Sequence, residues 1–221
     1  MSLPVASAKF VASTSSERRN LAQAGRRFHG ALEAFGFAGL AIFEIWFAVN
    51  SAPWAVALPV VLMVWSWRRY SRSYASLGLR LQDFGRSFPD WWPLWISSTI
   101  CVALLGGDRL FAPHVLRRAS AYFLWCALQQ LALQSMAYLP LRKSFSSLRA
   151  ALLTGILFAA AHAPNPVLMP ATLAWGAVAA LLFERRRSVW GLALMQTLLS
   201  SLLLWLTPYR LNHGFRIGPF Y

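Results

Sequence analysis

The residues best suited to chemistry are one histidine and four glutamines in apolar surroundings. His162 stands four positions after Phe158. Gln129, Gln130 and Gln134 lie in an earlier apolar stretch, and Gln196 and Ser200, again four apart, lie in the last one. An imidazole can take or give a proton near neutral pH. A primary amide there can only make hydrogen bonds. Gln130 and Gln134 share one helical face, with Gln129 beside them. Facing hydrocarbon, three amides would be expensive, so they should point inward and find partners. Two readings stay open: interhelical hydrogen-bonding glue, worth about 0.6 kcal/mol per contact, or a polar pocket shared with His162 and Gln196.

Three acids need placing. Glu44 lies deep in the first apolar stretch, where an ionisable group is a functional candidate by default. It could face the bundle interior or pair with an arginine. Glu33, near an arginine-rich boundary, reads as solvated. Glu184 stands beside Arg185-Arg186-Arg187 and is expected to pair with them.

The elements that hold these residues follow from composition. Of 221 residues, 57% are hydrophobic and only 13% charged, against about a quarter charged in soluble domains. Lys and Arg number 21 against seven acids, for a net charge of +14. Such an excess suits either nucleic acid or arginine-rich loops beside anionic lipid. The apolar content favours lipid, and no nucleic-acid motif is present. Membrane lipid is therefore the expected partner, and nucleic acid is not. Cys101 and Cys126 both sit in apolar runs without metal-ligand spacing and read as small core residues.

Residues 1–30, with two arginine pairs, are expected to form a basic cytoplasmic arm, and removal of a leader is not expected. Apolar segments then cover roughly 32–49, 53–67, 91–106, 119–140, 148–163, 168–184 and 188–207. Most approach the length that crosses a hydrocarbon core of about 30 Å. Prolines punctuate them. Asn50-Ser51-Ala52-Pro53 should make a tight loop, Pro89 and Pro93 should open the third segment, and Pro140 should close the fourth. Pro164-Asn165-Pro166 and Pro208 should close the fifth and seventh. The expected fold is all-α, a polytopic transmembrane bundle of about seven helices, with room for an eighth. It is a single domain over 31–207, with a tail at 208–221. With the N-terminus inside, 16 of the 21 basic residues fall in cytoplasmic segments. That bias predicts a cytoplasmic N-terminus and an outward tail.

The C-terminal half, residues 118–207, resembles the CPBP family, the CAAX-type intramembrane proteases and bacteriocin-processing (Abi) proteins. The family carries Glu-Glu-x-x-x-Arg, Phe-x-x-x-His and His-x-x-x-Asn on successive helices. Gln129-Gln130 with Gln134, Phe158 with His162, and Gln196 with Ser200 repeat that order and spacing. The resemblance implies that His162, Gln129, Gln130, Gln134, Gln196 and Ser200 occupy the catalytic positions. Phe158, Asn165 and Glu44 are expected in the pocket. It also implies a bacterial inner membrane and a membrane protein or peptide as substrate or partner. In the family the first glutamate is thought to activate water, and some members have been described as metalloproteases.

Only Phe158 and His162 keep the family residue. Glutamine cannot serve as general base, and it is a poor metal ligand beside carboxylate or imidazole. One imidazole without an acid does not make an ordinary zinc site, so neither metal nor cofactor is expected. The arginine position is glutamine as well. A buried arginine without its glutamate would be costly, so the set reads as a charged pocket exchanged for a neutral, hydrogen-bonded one. Three functions follow: an endopeptidase homologue lacking the usual mechanism, a noncatalytic relative that binds or chaperones a membrane partner, or a transporter or lipid-handling protein with an amide-lined pocket.

Overall fold

The computed structural model describes residues 25, 28–48, 57–69, 73, 75–106 and 113–218. The loop expected at 50–53 and nearly all of the 1–30 arm lie outside them. The described residues are helical throughout, joined by short turns. α1 (Phe28–Phe47) ends in a π-helical turn over Glu44–Ala48. α2 spans Ala57–Arg69 and α3 Leu81–Gly106. α4 (Pro113–Ala132) passes through a π turn, Leu133–Tyr138, into α5 (Leu139–Ser144). α6 (Ser147–Ala161), α7 (Leu168–Arg186) and α8 (Val189–Leu206) follow, then the short α9 (Tyr209–Asn212) and a 3-10 turn at His213–Phe215.

Two described helices, Phe28–Phe47 and Val189–Leu206, are long and apolar enough to cross a membrane. Trp91–Leu105 and Ser147–Ala161 are apolar but shorter. Outward faces are apolar too: Leu148, Leu152 and Ile156 form an exposed stripe along α6. A water-facing surface seldom carries such a stripe unpartnered, whereas lipid covers it at no cost.

Two proline expectations need correction. Pro89 and Pro93 lie inside α3 rather than opening a helix. The carbonyls they leave unpaired, four residues earlier, belong to Gly85 and Pro89, both exposed residues; solvent or headgroups can satisfy them. Pro140 does not close its segment either. Its ring would clash with the preceding turn of a regular α-helix, and the wider π turn before it makes room, so the chain stays helical to Ser144.

Packing places α8 against α3 and α4, and pairs α6 with α7. That pair meets through small residues. A Cβ on Gly155 would stand 2.4 Å from the Leu173 carbonyl oxygen, and one on Gly176 2.9 Å from Gly155 Cα. Ala150, Ala151, Ala179 and Ala180 are fully buried in the same core, with Tyr138, Leu141, Phe183, Leu192 and Met195. Cys126 is buried, as expected, whereas Cys101 is exposed.

At one end, Glu184 of α7 departs from the local expectation. It pairs not with its neighbouring arginines but with Arg142 of α5, Nε to Oε1 at 2.8 Å. Tyr138 donates to its Oε2 at 2.6 Å, and Ser147 donates to the same oxygen. Successive helix positions turn by about 100°, so the side chain reaching α5 is not the one whose neighbours are arginines. Arg187 instead caps α7 in the left-handed conformation (φ 49°) and donates to the Ser76 carbonyl.

Candidate functional site

α4, α6, α7 and α8 line a half-open cavity of about 530 Å³. α4 contributes Tyr122, Trp125 and Gln129, three, four and seven positions apart and so on one stripe. α6 brings Phe158 and His162, α7 brings Thr172 and Trp175, and α8 brings Gln196 and Ser200. Ile45 of α1 and Leu94 of α3 complete the wall.

The glutamines form one directed chain. Gln134 donates to Gln130 Oε1 at 3.0 Å, Gln130 donates to Gln196 Oε1 at 2.6 Å, and Gln196 donates to Gln129 Oε1 at 2.7 Å. The Trp175 indole also donates to Gln196 Oε1, at 3.3 Å. Gln130 and Gln134 are fully buried behind the cavity, while Gln129 and Gln196 reach its wall. The four-residue step from 130 to 134 permits the first link. The other links need α8 beside α4. At the far end Gln134 Oε1 is buried without a hydrogen-bond partner.

His162 terminates α6 and lines the same cavity. Its ring stands edge-on to Phe158, centroids 4.8 Å apart, which accounts for the four-residue spacing of those two. Its Nδ1 lies 2.8 Å from the Phe158 carbonyl oxygen. A carbonyl only accepts, so Nδ1 carries the hydrogen and Nε2 of the neutral ring is an acceptor. Among the described residues no hydrogen bond joins His162 to the glutamines.

Two expected pocket residues lie elsewhere. Asn165 does not line the cavity. It is fully buried, accepts from the Val167 and Leu168 amides at the start of α7, and donates to the carbonyls of Asn212 and Arg216. Its position in the turn after α6 makes it a cap and a latch, with no atom left for a ligand. Glu44 is buried, but its neighbour Ile45 faces the cavity instead. Glu44 Oε2 has no hydrogen-bond partner.

The C-terminal segment folds back over the bundle. Phe215 and Ile217 line the cavity, Asn165 holds the carbonyls of Asn212 before them and Arg216 between them, and Gly218 donates to the Ala163 carbonyl at 2.8 Å. Phe215 and His213 have positive φ (60° and 47°), a backbone conformation that costs bulky residues energy. Sequence reasoning missed this strap, because nothing local announces it. It missed Tyr122 and Trp125 too, although their helical spacing to Gln129 was a usable signal. The Tyr122 hydroxyl is within hydrogen-bonding reach of Ser200 and Cys126.

The matching family model describes type II CAAX prenyl endopeptidase, Rce1-like, and covers residues 22–202. The chain belongs to that family. No curated protein and no solved structure matches the chain. The match extends the likeness beyond the C-terminal half to most of the N-terminal one. The family is membrane-embedded, which agrees with the apolar exterior. The residues expected at its motif positions are side chains of the directed amide chain and of the cavity wall. The donor set does not fit a catalytic metal. One imidazole, with Nδ1 already engaged, and amides tied to one another offer no ordinary ligand group. Among the described residues no three His, Cys, Asp or Glu side chains come together.

Proposed function

We propose that this member of the prenyl endopeptidase family has lost the glutamate-driven peptidase step and keeps the cavity for binding. The observation that carries this reading is the chain Gln134–Gln130–Gln196–Gln129. Every side chain in it is neutral, and its links use the very groups that a carboxylate base and its arginine would occupy. General-base catalysis is worth about 10²–10⁴-fold, and an amide supplies none of it. The protein is read as a multi-pass bundle of about seven spans in a bacterial inner membrane. The arginine asymmetry supports an N-terminus on the cytoplasmic side.

His162 supports a second reading. Its Nε2 is free to accept a proton, with the Gln129 and Gln196 amides on the same cavity wall. An imidazole base with amide donors at the oxyanion is chemically workable.

Reconstitution with a prenylated CAAX peptide and with an unmodified membrane peptide separates these readings. The native chain is compared with His162→Ala, Glu44→Gln and a Gln129→Glu/Gln130→Glu revertant. Silence in the native chain supports the first reading, and activity in the revertant strengthens it. Cleavage that disappears in His162→Ala replaces it with the second. Cleavage that survives His162→Ala and disappears in Glu44→Gln assigns the base to Glu44.

A further inference from the structure

We propose that the cavity binds a single-headed uncharged amphiphile, one apolar chain ending in a hydroxyl or carbonyl, rather than a stretch of peptide. The proposal rests on the reading that the cavity has been kept for binding, and names what fills it.

The first argument is charge. None of the described residues lining the cavity is Asp, Glu, Lys or Arg. A ligand carboxylate, phosphate or ammonium would enter a largely apolar space without a counter-ion. An unpaired ion there costs several kcal/mol at least. An uncharged head avoids that cost.

The second argument is hydrogen-bonding capacity. Several polar groups on the wall are already committed. Thr172 donates to the Leu168 carbonyl, and Trp175 donates to Gln196. Gln196 Oε1 accepts from Gln130 and Trp175, and its Nε2 is given to Gln129. The Tyr122 hydroxyl lies within reach of the Ser200 hydroxyl. Among the described residues the capacity left over includes the acceptor at His162 Nε2, the Gln129 amide N–H₂, the second Gln196 N–H, the Trp125 indole N–H and the Ser200 hydroxyl. That suits one small head able to donate and accept. A peptide brings a donor and an acceptor at every residue, each needing a partner away from water. The helical walls offer no free backbone edge, and their side chains supply only a few partners.

The third argument is shape. Leu168, Ala171, Leu199 and Leu203 supply an apolar wall, and Phe215 and Ile217 of the strap extend it. A cavity of about 530 Å³ falls within the range that holds a small organic ligand, roughly 300–1,000 Å³.

The test uses the full chain in phosphatidylcholine nanodiscs and three photoreactive probes. They are a diazirine-bearing hexadecanol, the matching hexadecanoate at pH 8, and a diazirine-bearing apolar peptide with blocked ends. Labelled residues are mapped by mass spectrometry. Saturable labelling of α7, α8 or the strap by the alcohol is expected, with unlabelled hexadecanol as competitor. The carboxylate should label those positions at least about tenfold less at equal concentration. Ala171→Trp, which fills the cavity, should abolish the saturable part, and Gln129→Leu should weaken it. Labelling by the carboxylate equal to that by the alcohol overturns the argument from charge. Saturable labelling by the peptide at the same positions overturns the argument from hydrogen-bonding capacity. No saturable labelling by the alcohol overturns the proposal outright. Peptide cleavage by the same preparation would remove the proposed loss of peptidase activity, a separate readout from the labelling.

Discussion

The side-chain amide of Gln130 donates to Gln196 Oε1 at 2.6 Å, across 66 positions of sequence and two helices. It joins two positions that the resemblance sets against a glutamate and a histidine of the family's charged pattern. Here the link is a neutral hydrogen bond, and its donor is fully buried.

Removing both partners should cost less than the sum of removing each. Gln130→Leu orphans the Gln134 amide and one lone pair of Gln196, which costs about 1–3 kcal/mol. Gln130→Leu/Gln196→Leu should fall clearly short of the sum of the single changes, because each change removes the other's orphan. Thermal melting of the purified protein in detergent, run as a double-mutant cycle, measures the coupling. Additive losses would show that the bond contributes nothing specific.

Charge should be tolerated only in pairs. Gln130→Glu alone buries a carboxylate among amides, and Gln134→Arg alone buries a guanidinium. Either should destabilise by about 3–5 kcal/mol, the usual cost of an unpaired buried ion. Gln130→Glu/Gln134→Arg, four apart on one face, should recover a large part of that loss. Folded yield and melting temperature of the three variants decide it.

Asn165 serves two elements through different atoms, so two substitutions separate them. Asn165→Ala loses both the cap on α7 and the grip on the strap, and should destabilise by at least about 2 kcal/mol. Asn165→Asp keeps an oxygen for the Val167 and Leu168 amides but has no hydrogen to give the carbonyls of Asn212 and Arg216. It should loosen the strap, and burying its carboxyl against those two carbonyls should lower global stability as well. Reactivity of a cysteine placed at Phe215, in a Cys101→Ser/Cys126→Ala background, should rise in Asn165→Asp. Unchanged reactivity would show that the strap is held by its other contacts.

Gly155→Ala should be among the most damaging small changes in the chain. The new methyl would lie 2.4 Å from the Leu173 carbonyl oxygen, a backbone atom with little freedom to move. Gly36→Ala, where nothing lies within 4 Å, is the control and should be neutral or slightly stabilising through helix propensity. A similar melting temperature for both variants would mean that α6 and α7 pack less closely than this.

Local sequence was enough to mark most of the helices and the chemistry available to them. Hydropathy is a sum over neighbours, so the apolar stretches that became α1, α6 and α8 were visible in it. Hydrogen-bonding capacity belongs to the residue type, so the loss of a carboxylate base at Gln129 and Gln130 needed no coordinates. The four-residue steps from Gln130 to Gln134 and from Phe158 to His162 were also legible, because helix geometry converts that spacing into contact. Only the tertiary structure decided the partners that no local rule selects. Glu184 passed over three adjacent arginines for Arg142, 42 positions away, because its rotation about α7 faces α5. Asn165 turned away from the cavity to hold Asn212 and Arg216, 47 and 51 positions off, because buried backbone carbonyls there required donors. The strap that brings Phe215 and Ile217 onto the cavity wall has no periodicity to betray it. Its place is set by long-range bonds, those of Asn165 and that of Gly218 with the Ala163 carbonyl.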